Sequence, residues 1–294
     1  MKIPALVGQV IDWVEWRLQD SGVALGQGTL NAHDEAAWLV LWSLGLPLDA
    51  DDQTLTEPIR FDQWKAIYRN LDLRINQRLP MAYISGEAWL QGVPFHVDAR
   101  CIIPRSLIAE VLADGLLDPH VPDQDAHVLD LCTGNGSLAV LCAMAWPHAL
   151  IDASDISSEA LAVAQSNVRR HGFESRIRLM QCDGLQNDQG PYDLIVCNPP
   201  YVNAQSMDRL PPEFLHEPAL ALDGGPDGMD FIGPLMGRVV DHLKPDGALV
   251  LEIGHEFNYF VDRYPHLEAL WLTTSAGDTQ VALITRNSLS GLRT

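Results

Sequence analysis

The chain is short of positive charge. Across 294 residues it carries 19 lysines and arginines against 39 aspartates and glutamates, a formal charge of -20. A protein that grips duplex DNA displaces counterions with a strongly basic face, so no direct duplex DNA binding is expected. The same field draws in a basic partner and speeds the encounter, although acidity also serves solubility alone. Cysteine is scarce: there are five, an odd number, with no C-x-x-C pair. Cys132, Cys182 and Cys197 lie beside apolar runs. This argues for free thiols in a reducing cytoplasm rather than a disulfide frame or a zinc site. No apolar run reaches the roughly 20 residues that cross a bilayer. The opening "MKIPALVGQVIDWVEW" carries acids and tryptophans where an apolar leader would run on, so neither membrane insertion nor a signal peptide is expected. His255-Glu256 does not begin an H-E-x-x-H metal site, because Tyr259 occupies its last position. No metal centre, internal repeat or low-complexity tract is expected. What remains is 47% hydrophobic and 20% charged, an ordinary globular composition, long enough for one large domain or two smaller ones.

The first part of the chain has helical spacing. Val7, Val10, Ile11, Val14 and Leu18 share one face, and a second apolar helix spans about Glu35 to Leu44. Asp49 to Pro58 reads as a loop. Phe61 to Arg78 returns to helical spacing, with Phe61, Trp64, Ile67, Tyr68, Leu71 and Ile75 on one side. The eight tryptophans read mostly as packing. The pattern then changes at "AYISGEAWLQGVPFHVDARCIIPRS", where Gly86, Gly92 and Pro94 punctuate short β-type runs, as in a hairpin. A helix follows Pro104-Arg105, with Ser106 as its cap. From His127 onward strands and helices alternate: "HVLDL", a helix from Ser137 to Trp146, "LIDASD", a helix capped by Ser157, "RIRLMQCD" and "YDLIVCN". A helix over Phe231 to Leu243, the strand "GALVLEIG", another helix and a final pair of strands complete it. This alternation predicts an α/β sheet with helices on both faces. The last two strands have no helix between them, so one of them runs antiparallel.

"VLDLCTGNGSLAV" places Gly134 and Gly136 between a strand and a helix. Glycine lets the backbone approach a ligand, and the helix start offers unpaired N–H groups. Alone, such a pair is equally a tight turn. The third glycine of a dinucleotide fingerprint is absent, with Ala139 in its place. Asp155 ends the next strand, where an acid accepts the hydroxyls of a ribose or else caps the following helix. Asp130, inside the first strand, either holds the loop or reaches a cofactor through water. Asp183, in "QCDGL", sits at the same sheet edge. It either accepts from an adenine amino group or serves as a turn residue.

"LIVCNPPYVN" is the most specific stretch. An apolar strand stops at Asn198, then at Pro199 and Pro200, which cannot extend a sheet, then at Tyr201. The Asn198 side-chain oxygen and the Pro199 carbonyl are two acceptors held apart at fixed separation. They suit an –NH2 group, which has two hydrogens to give. Tyr201 offers a flat face for stacking. Such a corner grips a planar, conjugated nitrogen, as methyl transfer to that nitrogen requires.

"DLCTGNG", "SDIS" and "NPPY", in this order, resemble class I S-adenosylmethionine-dependent methyltransferases that modify exocyclic or amide nitrogens. The hairpin stretch resembles the linker of the HemK-like protein glutamine methyltransferases. "CTGNG" and "PRSLIAE" resemble its PrmB-type branch rather than the release-factor branch, which usually reads "GTGTG" and "PRPDTE". The resemblance implies a Rossmann-like class I methyltransferase domain with a mostly parallel seven-stranded sheet over 105–294. A helical bundle for substrate recognition over 1–80 and a β-hairpin linker over 81–104 would precede it. It implies S-adenosyl-L-methionine as cofactor, with Cys132, Thr133, Gly134, Asn135 and Gly136 wrapping its methionine part. Asp155 would take the ribose, Asp183 would lie near the adenine, and Asp130 would support the loop. Asn198, Pro199, Pro200 and Tyr201 would hold a glutamine amide, with Asn198 also facing the cofactor. The implied partner is the basic large-subunit ribosomal protein L-three, methylated on a glutamine side-chain nitrogen. A release-factor methyltransferase, an N6-adenine methyltransferase and a non-catalytic assembly factor are the alternatives. In "HEPALALDGGPDGMD", a loop over the pocket, Glu217 reads as an anchor. Arg105 reads as a substrate contact or as a seal at the domain junction.

Overall fold

Val7, Val10, Ile11, Val14 and Leu18 are all buried on one face of the helix Val7–Ser21, as their spacing predicts. Asn31 caps the next helix, Ala32–Leu44, by accepting from the Asp34 N–H at 2.9 Å. The computed structural model describes residues 5–185 and 190–293. The predicted loop over Asp49 to Pro58 contains one helical turn, Asp52–Leu55, whose start is capped by Asp51. The helix Phe61–Asn76 buries Ile67 and Leu71, but not the whole predicted stripe. Phe61 and Tyr68 are 65% and 50% exposed, and the stripe is completed by Arg74, at 1%. A charged side chain is tolerated there because each arm of its guanidinium finds an acceptor. Nε donates to Glu35 at 2.6 Å, and the two terminal nitrogens donate to Glu213 at 3.2 Å and to the Ala24 carbonyl at 2.6 Å. Trp16 and Trp42 are also exposed, so tryptophan is not uniformly core here. These helices group with the segment Leu210–His216 as one compact unit, and Trp89–Arg209 with Glu217–Thr294 forms the other.

β1 (Glu87–Leu90) and β2 (Val93–His96) pair as the predicted hairpin. The helix after Pro104-Arg105 is Ile108–Ala113, with Leu107 at its N-cap. Ser106 stands one place earlier than a cap, although its hydroxyl oxygen accepts from the Ile108 N–H at 3.2 Å. The seven-stranded sheet comprises β3 (His127–Leu131), β4 (Leu150–Asp155), β5 (Ile177–Gln181), β6 (Tyr192–Cys197), β7 (Leu243–Glu252), β8 (Leu270–Thr274) and β9 (Gly277–Thr285). Their order across the sheet is β5-β4-β3-β6-β7-β9-β8. β9 runs antiparallel to both its neighbours, and the other pairs are parallel. β8 and β9 form the helix-free pair, and only a two-residue turn joins them. The helix predicted over Phe231 to Leu243 is shorter, Ile232–Arg238, and continues as a 3-10 turn before β7. Alternate residues of the central strands face opposite layers. Val128, Leu194, Val196 and Val250 pack with the helices Ile108–Ala113 and Ser137–Ala145. Leu129, Leu131, Ile195 and Leu251 pack with Ile232, Leu235 and Phe260. Among the described residues no helix is long and apolar enough to cross a membrane.

Strand order reverses between β3 and β6. In open α/β sheets the crevice beyond the carboxyl ends at such a point holds ligands. The opposite half of the sheet holds a different polar cluster. Asp152, in β4, accepts from Tyr192 Oη at 2.8 Å and from Arg178 Nε and Nη2 at 2.8 and 2.6 Å, and His127 Nε2 lies 3.1 Å away. Burial alone would raise the Asp152 pKa, but these partners outweigh it and hold the carboxyl well below its usual range. A depressed folded-state pKa adds stability that is complete above the unfolded value, near pH 4, and is lost as pH falls through the folded value. Asp152→Asn is therefore expected to lower unfolding free energy by roughly 1–3 kcal/mol at pH 7. Urea unfolding at a series of pH values should show the gap from wild type narrowing only below about pH 4.

Candidate active site

Beyond β3 the chain turns through Cys132, whose φ is 63°, and then through the two loop glycines. A side chain at Gly136 would be strained, since its φ is 80° and a Cβ would lie 3.0 Å from that of Ala164. Two acids hold the turn. Asp130 is fully buried, and its Oδ2 accepts from Thr133 Oγ1 and from the Ala139 N–H at 2.9 Å. Burial pushes its pKa up to about 7. Asp155 accepts from the Gly134 N–H through Oδ2 and from the Ser157 N–H through Oδ1, each at 2.9 Å. It thus joins the glycine loop to the start of the helix Ser158–Arg170, where Ser157 is the cap. One N–H on each oxygen leaves lone pairs for further donors. Asn167, wholly buried on that helix, donates to the Asn135 carbonyl at 2.8 Å. Its amide also exchanges two hydrogen bonds with the His96 backbone, at 2.7 and 2.9 Å, tying the hairpin to the loop.

Three buried polar atoms in and beside this loop have no hydrogen-bond partner among the described residues: Asp130 Oδ1, Asn135 Nδ2 and Ser154 Oγ. Such atoms are rare in folded proteins and mark places where a ligand or water belongs. An acid, an amide donor and a hydroxyl beside a glycine turn fit a polar, positively charged cofactor. Asp183 is exposed beyond the end of β5. Hydrogen bonding to the adjacent Cys197 sulfur and then burial raise the Cys132 thiol pKa well above its usual value, which disfavours the thiolate.

β6 lies beside β3 with Cys197 opposite Leu131, so Asn198 follows β6 next to Cys132. The Asn198 side chain is half-buried and makes no hydrogen bond to any of the described residues. Pro199 is buried. Tyr201 donates its hydroxyl to Glu252 Oε1 at 3.0 Å. Asn203 donates to Glu256 Oε1 at 2.6 Å and caps the short helix Ala204–Met207. The backbone of Val202 pairs with Leu222 and Gly224, at 2.8 and 2.9 Å. The "LDGGPDG" loop is thereby laid against the corner.

Glu217 is an anchor, as its position suggested. It is 5% exposed, accepts from the Ile103 N–H at 2.9 Å, and takes both arms of Arg105 at 2.6 and 2.7 Å. Arg105 also donates to the Ile103 carbonyl at 3.0 Å, so the partners named here all belong to the second unit. Sequence reasoning missed Glu252, Glu256 and Asn167. Glu252 had a usable signal: in "VLEIG" an acid ends an apolar run, just as Asn198 does in "LIVCN".

A mostly parallel sheet with a glycine loop and an Asn-Pro-Pro-Tyr corner on adjacent strands at its switch point defines a class I methyltransferase. Residues 110–227 match the model of the methyltransferase small domain. The fold resembles the catalytic domain of hMettl16, solved with a MAT2A 3'UTR hairpin: TM-score 0.51, 13% identity, covering 78% of this chain and 84% of that one. The chain is 48% identical over 277 residues to the ribosomal protein uL3 glutamine methyltransferase of Bordetella pertussis, covering 93% of each. It is 43% identical to the protein of that name from Neisseria meningitidis, covering 97% of this chain and 94% of the other. The chain belongs to the family of ribosomal protein uL3 glutamine methyltransferases.

Breaking the Arg105–Glu217 pair leaves a buried carboxylate short of charge. Arg105→Ala is expected to lower stability by roughly 2–4 kcal/mol. Arg105→Met combined with Glu217→Leu should cost less than either single change, read by chemical denaturation in a double-mutant cycle.

Proposed function

We propose that this chain transfers a methyl group from S-adenosylmethionine to the side-chain amide nitrogen of a glutamine in ribosomal protein uL3. The observation that carries this is the unpartnered Asn198 side chain, next to the glycine loop at the carboxyl edge of the sheet. The names of the relatives supply the substrate. When bound, the cofactor supplies an electrophilic methyl group on a positively charged sulfur. The residues of the chain do the rest. The backbone of Cys132 to Gly136, with Asp130 behind it, would cradle the methionine part, and Asp155 would accept the ribose hydroxyls with its remaining lone pairs. Asp183 would lie near the adenine.

The glutamine amide is a weak nucleophile because its lone pair is delocalised into the carbonyl. Asn198 Oδ1 and the Pro199 carbonyl would accept its two N–H groups, favouring the pyramidal nitrogen of the transition state and aiming its lone pair. Tyr201 would pack against the amide plane. The side chains of this site suggest no strong base, since the nitrogen can lose its proton after attack. The acidity of the chain suits a basic ribosomal protein, and five free thiols suit the cytoplasm. The helical unit, which includes Leu210–His216, would contribute to substrate recognition.

Incubation with labelled cofactor and, separately, uL3, a release factor and DNA should label uL3 alone. Label appearing in a release factor or in DNA instead would overturn the substrate assignment. Asn198→Ala should bind S-adenosylhomocysteine as wild type does in calorimetry while losing at least about a hundredfold in turnover, the scale of removing an oriented transition-state contact. Asp155→Ala should weaken that binding about tenfold or more, as loss of a charged hydrogen bond does. The second-order rate on uL3 should fall as salt rises from about 0.05 to 0.5 M, because screening shortens the reach of the acidic surface.

A further inference from the structure

Tyr201 is enclosed by glycine. A Cβ on Gly224 would lie 2.7 Å from Tyr201 Cα, one on Gly228 would overlap the Tyr201 carbonyl oxygen, and one on Gly254 would overlap the ring itself. Gly224 and Gly228 thus make room for the backbone of Tyr201, and Gly254, from a separate segment, makes room for its ring. At the ring's far end stands one buried carboxylate. Glu252 is 3% exposed and ends β7. It accepts from Tyr201 Oη at 3.0 Å, Ser106 Oγ at 2.6 Å and the Leu107 N–H at 2.9 Å. All three partners can donate, and the two carboxylate oxygens accept from them together.

Methyl transfer to a glutamine amide, the reading on which this role rests, does not require an acid at position 252. A tyrosine needs no hydroxyl partner in order to stack, and apolar packing would serve the end of β7 equally well. A buried acid aimed at the hydroxyl has another use. We propose that Glu252 is a positioning residue for methyl transfer: by accepting from the Tyr201 hydroxyl it fixes the rotation of the ring within the glycine cradle, and so the plane that the ring presents to the substrate amide. It ties that plane to the chain at Ser106 and Leu107, so the Asn-Pro-Pro-Tyr corner is braced from the segment that precedes the catalytic sheet. Glutamine at 252 has only one acceptor oxygen. With that oxygen on Ser106 and Leu107, its –NH2 falls on the tyrosine, whose hydroxyl must then turn from donor to acceptor.

The test is a double-mutant cycle of Glu252→Gln and Tyr201→Phe, read on uL3 and by fluorine resonance of protein labelled with 3-fluorotyrosine. Each single variant is expected to lower kcat about tenfold or more, with KM and S-adenosylhomocysteine affinity within about twofold of wild type. The double variant should be no slower than the worse single one, because both remove the same contact. The Tyr201 resonance, assigned by its loss in Tyr201→Phe, should move in Glu252→Gln while those of the other tyrosines stay in place. If Glu252→Gln does not fold, Glu252→Asp, one methylene too short to reach the hydroxyl, is read in the same way. Unchanged kcat, effects that multiply in the double variant, or an unmoved resonance would overturn the positioning role. A wild-type protein that leaves uL3 unlabelled would overturn the substrate assignment instead, and the resonance would still decide the role of Glu252.

Discussion

Parallel pairing of β3 with β6 is the constraint on which the site depends. The register sets Leu131 beside Cys197, so the two strands end together. The glycine turn that leaves one strand and the amide-proline corner that leaves the other must therefore lie side by side. Because strand order reverses there, helices leave toward opposite faces and open a crevice. Neither half of the site is useful alone. On the proposed reading, the glycine turn alone would cradle a cofactor with nothing to accept its methyl group, and the pair of fixed acceptors alone would hold an amide with nothing to attack.

Carboxyl groups do the bracing around that crevice. Asp130 and Asp155 shape the glycine loop, Glu217 holds Arg105, Glu252 holds Tyr201 and Glu256 holds Asn203. Most of these carboxylates accept several donors each, which is the condition under which a buried charge is tolerated. The surplus of acid in the composition is thus partly structural. A share of it stands inside the catalytic unit, staple by staple. The helical unit repeats the device with Arg74 between Glu35 and Glu213.

Much of the fold was legible because periodicity is a local signal. The first helix buried every residue that its spacing named, and the absence of a helix between the last two strands announced the antiparallel pair. Reading failed where a charge took an apolar place. The stripe on Phe61–Asn76 runs through Arg74 and leaves Phe61 and Tyr68 to solvent, since acids from Glu35 and Glu213, distant in sequence, neutralise the arginine. Ser106 looked like a helix cap, but its hydroxyl also donates to Glu252, a partner 146 positions away.

By itself the sequence determined the order of elements, the glycine turn, the strand-ending acid and the corner at Asn198, because each is written in consecutive residues whose backbone preferences and side-chain chemistry act over a few ångströms. Only the tertiary structure decided which acids brace which groups, that three glycines pack closely against one tyrosine, and that a short segment after the corner, Leu210–His216, groups with the N-terminal helices. Those outcomes depend on residues brought together from far apart along the chain, and the burial that makes an ion pair or a missing Cβ matter exists only once the chain has folded.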